Sequence, residues 1–267
     1  MSKNGFLNKI EEKIKKKQFK EEIKECIEEH DLVGKVKYEI NSERKRIKRE
    51  KNRVLNEPPH LETSEEIGNS ITHGVGALIS TAAFILMLVF SKNGLEVLSA
   101  CFYGISMIIT MTMSCLYHAF KKGLTVKRIW RRFDYASIYL LIGGTFSPLF
   151  LLTVGGALGI VLFCVYWAVF AFGITMVCIF GPGRLKGLHF SLYFAFGWIG
   201  LLMIPYWVIN GLYSLLIWIL AGGVIYTLGM IPFLMKRVKN AHFIWHFFVL
   251  GGAIVQWLGI FLNIYCK

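Results

Sequence analysis

Residues 67–267 carry only two acidic side chains, Glu96 and Asp134, and break into seven long apolar stretches. The stretches run roughly over 67–91, 96–120, 133–154, 156–180, 187–209, 212–235 and 240–266. Each is near or above the ~20 apolar residues that a helix needs to cross a bilayer. Backbone polar groups in hydrocarbon must be satisfied within the segment, so such stretches fold as helices. The fold class expected is therefore all-α, a polytopic membrane protein with a seven-helix bundle. Internal glycines and Pro148, Pro205 and Pro232 are tolerable within such spans.

Charge divides the chain into two parts. Residues 1–66 hold 17 of the 30 Lys+Arg and 15 of the 17 Asp+Glu, and the remainder holds 13 basic and 2 acidic groups. The surplus positive charge of the apolar part sits in short loops, which is a membrane-topology pattern and not a nucleic-acid surface. Lys121, Lys122, Lys127, Arg128, Arg131 and Arg132 follow the second span, Arg184 and Lys186 the fourth, and Lys236, Arg237 and Lys239 the sixth. The other side has Lys92 and Lys267. By the positive-inside rule the N-terminus is inside and the C-terminus outside. The expected localisation is the cell (plasma) membrane, multi-pass. The first thirty residues are charged throughout, so no cleavable signal peptide is expected. The six cysteines are scattered without a CxxC pair, the pattern of isolated thiols.

Two domains are expected: residues 1–60 as a charged cytoplasmic tail, partly helical or disordered, and 64–267 as the membrane domain. In the tail, Ile10, Ile14, Phe19, Ile23, Cys26 and Ile27 recur at roughly helical spacing, which suits an amphipathic helix that is solvated or lies on a membrane. The basic run over 43–53 would favour anionic headgroups. Pro58-Pro59 closes the tail.

Polar groups inside apolar spans are costly and mark function. His118 lies three residues before Lys121, Asp134 two after Arg132, and His242 and His246 three and seven after Lys239. At 1.5 Å per residue all four fall within about 3–11 Å of one membrane boundary. His242 and His246, at i and i+4, project from one helix face. With His118 they make a three-histidine set that leaves a fourth position for water, the arrangement of catalytic zinc. Asp134 can bind or orient that water and serve as base, and Ser114, one turn before His118, can hold a hydrogen bond or an oxyanion. The competing reading is a hydrogen-bonded cluster that locks helix packing without metal. His73 has a similar depth and either lines the same cavity or packs an interface. His189 reads as interfacial.

Ser114-Cys-Leu-Tyr-His118, Arg132-Phe-Asp134-Tyr-Ala-Ser-Ile and His242-Phe-Ile-Trp-His246-Phe-Phe-Val resemble the three signature segments of the hemolysin III family. That family lies in the progestin and adipoQ receptor superfamily, with the adiponectin receptors and, more distantly, the alkaline ceramidases. Glu66-Ile-Gly-Asn69-Ser-Ile-Thr72-His73-Gly and Gly143-Gly-Thr145-Phe-Ser-Pro148 are similar to its first-span and third-span motifs. The likeness covers about 64–267. It implies a cytoplasmic-side zinc bound by His118, His242 and His246, with Asp134 contacting the zinc-bound water. Tyr135 and Gln256 stand where many members have further histidines.

Three functions stay open at this stage. One is a zinc-dependent hydrolase of lipid amides or esters, acting in lipid metabolism. Another is a pore-forming, cytolytic protein, as the family's name suggests. The third is a lipid sensor or receptor with structural zinc. The expected partners are membrane lipids, with anionic headgroups at the tail and no nucleic acid.

Overall fold

The fold was analysed in a computed structural model that describes residues 3–235 and 238–267, with side chains from residue 12 onward. Lys236, Arg237 and the Ile10 side chain lie outside the described residues. Among the described residues there are helices and no strands. The chain divides into two compact units, Met1–Val54 and Leu55–Lys267.

The first unit is helix α1, Lys3–Leu55. Its exposed side chains alternate in sign, with intrahelical pairs such as Lys16–Glu12 at 2.9 Å and Lys35–Asp31 at 2.8 Å. Such exposed pairs each contribute only about 0.3–0.5 kcal/mol.

The second unit holds seven helices long and apolar enough to cross a membrane. The spans are α2 (Thr63–Phe90), α3 (Gly94–Ala119), α4 (Thr125–Pro148), α5 (Gly156–Phe180), a fifth span in pieces, α8 (Tyr213–Leu234) and α9 (Ala241–Ile260). After Pro148, α4 continues as a π-helical turn, Leu149–Val154, and α9 continues likewise through Phe261–Tyr265. The fifth span is α6 (Lys186–Trp198), a 3₁₀ stretch (Ile199–Met203) and α7 (Ile204–Ile209), with Pro205 in the first turn of α7. Proline supplies no amide proton, so it is tolerated there and would break a continuous helix two turns further in.

Helices attract each other in lipid through close packing and interhelical hydrogen bonds, because the surroundings are as apolar as the side chains. α2, α3 and α4 use both means. The Ser70 hydroxyl donates to the Cys115 carbonyl at 3.1 Å, joining α2 to α3. The Thr110 hydroxyl lies 2.8 Å from the carbonyls of both Ser106 and Ser137, joining α3 to α4. Such bonds contribute on average ~0.6 kcal/mol each in a membrane protein. A Cβ on Gly144 would meet the Ser106 Cβ at 2.6 Å, so only glycine lets α4 sit this close to α3.

Two spans begin earlier than the apolar stretches suggest. α2 starts at Thr63 and α4 at Thr125, which brings Glu66 and Lys127 inside the helices. The charges are admitted because they pair with each other, Lys127 Nζ to Glu66 Oε1 at 2.7 Å. At the same end of the bundle Lys239 meets Glu62 at 3.0 Å, and Arg128 meets Glu57 at 3.2 Å. The N-terminal ends of α2, α4 and α9 and the C-terminal end of α3 therefore converge there.

Candidate metal centre

Four helices each bring polar residues to the converging end at helical spacing. On α2, Glu66, Asn69 and His73 share one face, and Asn69 and His73 are buried. On α3, Thr110, Ser114 and His118 are one turn apart and buried. On α4, Lys127 and Asp134 lie two turns apart, and on α9 His242 and His246 lie one turn apart.

His118, His242 and His246 meet, with one ring nitrogen from each lying within 4.8 Å of the others. The Nε2 atoms of His242 and His246 are 3.4 Å apart. Two imidazole nitrogens bound tetrahedrally to one zinc at ~2.0–2.1 Å would stand about 3.3 Å apart. His118 Nδ1 lies 2.7 Å from Glu66 Oε2, and the carboxylate's other oxygen receives the Lys127 ammonium. Nδ1 thus donates to the carboxylate, and the Nε2 lone pair points away from it. His118 Nε2 is buried with no hydrogen-bond partner among the described residues. A buried, basic, unpartnered nitrogen beside two others is a donor set that fits a metal ion. A carboxylate behind a ligating imidazole fixes its tautomer and raises its basicity. Lys127 is itself fully buried, with its ammonium 4.8 Å from the centre of the Tyr117 ring.

Sequence reasoning did not assign Glu66 and Lys127 to the site. The available signal was the spacing Glu66, Asn69, His73, which puts an acid on the same α2 face as a buried amide and an imidazole.

Asp134 and Ser114 are not among the three converging nitrogens. Both line one cavity with His73, His242 and His246, and Ser114 is a hydrogen-bonding neighbour of the Asp134 carboxylate. The Ser137 hydroxyl donates to the Asp134 carbonyl at 2.7 Å. His73 stands outside the donor set, its ring tilted by 30° against that of His246 with the centroids 3.8 Å apart. His189, expected as interfacial, is buried, with its Nδ1 2.8 Å from the Tyr139 hydroxyl. The Tyr135 carbonyl accepts from the Tyr193 hydroxyl at 2.7 Å, and Gln256 donates to the Ile219 carbonyl at 3.4 Å. Both residues also line this cavity.

The cavity measures about 740 Å³. Glu57, Lys186 and Lys239 are among its charged lining residues, and Phe146, Tyr193, Trp198, Tyr226 and Val249 are among its apolar ones. Its volume is that of a site for a drug-sized or acyl ligand.

Comparison with known proteins identifies the family of the chain. The family model described as Haemolysin-III related matches residues 61–257. "Hemolysin-3" of Bacillus cereus is 37% identical over 198 residues, covering 72% of this chain and 88% of that protein. "Hemolysin-3 homolog" of Bacillus subtilis (strain 168) is 33% identical over 208 residues, covering 76% of this chain and 94% of that protein. The chain belongs to the haemolysin-III family, as a multi-pass membrane protein with a three-histidine group able to hold a metal ion.

Proposed function

We propose that this haemolysin-III family member is a zinc-dependent hydrolase of lipid amides or esters, resident in the plasma membrane with its site on the cytoplasmic side. The observation that carries the reading is one shared space. Two of the three converging histidines, Asp134 and Ser114 line a cavity of about 740 Å³ whose other walls are largely apolar. An all-imidazole donor set suits zinc, and three protein ligands leave a position open for chemistry.

Zinc bound there supplies a Lewis acid for the substrate carbonyl. The remaining work falls to the chain. Asp134 accepts the proton of the attacking water and returns it to the leaving group. Ser114 holds the Asp134 carboxylate in place. Glu66 keeps His118 in the tautomer whose Nε2 can bind metal. The aromatic walls exclude bulk water and accept acyl chains, and the exposed Lys239 on the cavity lining favours an anionic headgroup. Membrane lipids are thus the proposed substrates and partners.

The test is free fatty acid release from a panel of lipids by the purified, reconstituted protein, run beside dye leakage. We expect release by the wild type, none by Asp134→Asn, and no leakage from either. Equal release by both proteins would remove Asp134 from the mechanism. Leakage that persists in Asp134→Asn without hydrolysis would replace the hydrolase with a pore. Bound zinc with neither activity would leave a lipid sensor or receptor.

A further inference from the structure

Helix α1 lies outside the matched family region, which begins at residue 61. Within α1 one apolar residue recurs at intervals of seven without interruption: Phe19, Cys26, Val33, Ile40, Ile47 and Val54. All six are exposed; Phe19 is 62% exposed and Val54 66%. A straight helix has 3.6 residues per turn, so a stripe spaced by seven drifts ~20° per heptad around it. Across the five heptads from Phe19 to Val54 that drift is about 100°. On a flat membrane surface a stripe that drifts this far cannot keep all its residues at one depth. It stays on one face only if the helix supercoils left-handedly around another helix.

The flanks of the stripe indicate which helix. Three residues after each of the first five stripe positions stand Glu22, Glu29, Val36, Glu43 and Glu50, and four residues after stand Ile23, His30, Lys37, Arg44 and Lys51. These positions lie on opposite sides of the stripe, one edge acidic and the other largely basic. When two identical helices pair in parallel about a two-fold axis, the acidic edge of each faces the basic edge of the other. In antiparallel pairing like edges meet, acid against acid. Two copies in one bilayer share a topology, so their α1 helices start from the same membrane face and pair in parallel without inversion.

We propose that α1 is a self-association helix: two copies of this chain join through a parallel, in-register coiled coil along the Phe19–Val54 stripe. The intrahelical pairs Arg46–Glu43 and Arg53–Glu50, at 3.4 and 3.6 Å, are solvent-exposed and exchange readily for contacts across the pair. The stripe gives one apolar layer per heptad, so the coiled coil is weak by itself, and confinement to one membrane raises its effective concentration.

Cys26 sits in the stripe and serves as the probe. The full-length protein is reconstituted in phosphatidylcholine vesicles and treated with a short bis-maleimide. The proposal predicts a covalent dimer in the wild type and its loss in Cys26→Ser. Moving the thiol to the opposite face, Lys24→Cys in the Cys26→Ser background, should not restore the dimer. Changing Glu22, Glu29, Glu43 and Glu50 to Lys should abolish crosslinking at Cys26, and adding Lys37, Arg44 and Lys51→Glu to the same chain should bring it back. The rescue separates lost pairing from lost folding. Equal crosslinking at positions 24 and 26, absence of a Cys26 dimer, or failure of the swapped edges to restore it would each overturn the proposal. So would a Cys26 shielded from maleimide in phosphatidylglycerol vesicles without dimer, which would put the helix on the lipid surface.

Discussion

The third and fifth spans have nearly the same hydropathy and opposite roles. In the third, 67% of the apolar window is buried inside the protein; in the fifth, 11% is. The third span carries Lys127, Asp134, Ser137 and Thr145 and approaches α3 through Gly144. The fifth contributes Phe190, Tyr193, Phe194 and Trp198 to the cavity, and its first helix buries only His189. It is also interrupted by a 3₁₀ stretch, where backbone bonds are poorer. The comparison teaches that hydropathy finds a span without saying what the span does. Small and hydrogen-bonding residues make a close-packed frame, and large aromatics make a wall that shapes a cavity.

Substitutions in the frame should therefore cost far more than those in the wall. The largest effect is expected for Asp134→Asn, which keeps shape and removes the base: turnover in the lipid assay should fall by roughly 10²–10⁴-fold. Unchanged turnover would place the chemistry elsewhere. Next is Glu66→Ala, which frees the His118 ring and leaves Lys127 buried without its counter-charge. Metal affinity, read by competition with a chromogenic chelator, should drop 10–100-fold. Thermal unfolding in detergent should show a loss of about 3–5 kcal/mol. Wild-type affinity in a folded Glu66→Ala protein would leave Glu66 with a packing role alone. Smaller again is Gly144→Ala, whose added methyl meets the Ser106 Cβ at 2.6 Å and the Phe102 carbonyl oxygen at 3.0 Å. Overpacking of this kind costs ~1–3 kcal/mol. The same change at Gly197 in the fifth span meets no atom within 4 Å, and the stability change there should stay within about 0.5 kcal/mol. If the two alanines cost the same, the distinction between frame and wall fails.

Much of the site was legible because membranes make polar residues conspicuous. His118, His242, His246 and Asp134 stood out by type and shared depth, and the i, i+4 spacing of the last-span pair fixed a common face. Glu66 and Lys127 did not stand out, for a physical reason. An apolar run measures what a helix can place in lipid one residue at a time, whereas these two charges enter as a pair and neutralise each other. The rule therefore cut off the first turns of α2 and α4, the turns that carry the groups behind His118. His73 was expected either to line the same cavity or to pack an interface, and depth alone does not say whether an imidazole joins a ligand set or packs beside it, as His73 does against His246. Pro205 was read as tolerable within its span, since many membrane helices carry proline without breaking, and the interruption of the fifth span was not expected.

The metal centre is tested by elemental analysis of the purified full-length protein. Three imidazole ligands predict about one zinc per chain in the wild type and near none in the His242→Ala, His246→Ala double variant. A double variant that folds and retains its full zinc content would contradict the three-histidine centre.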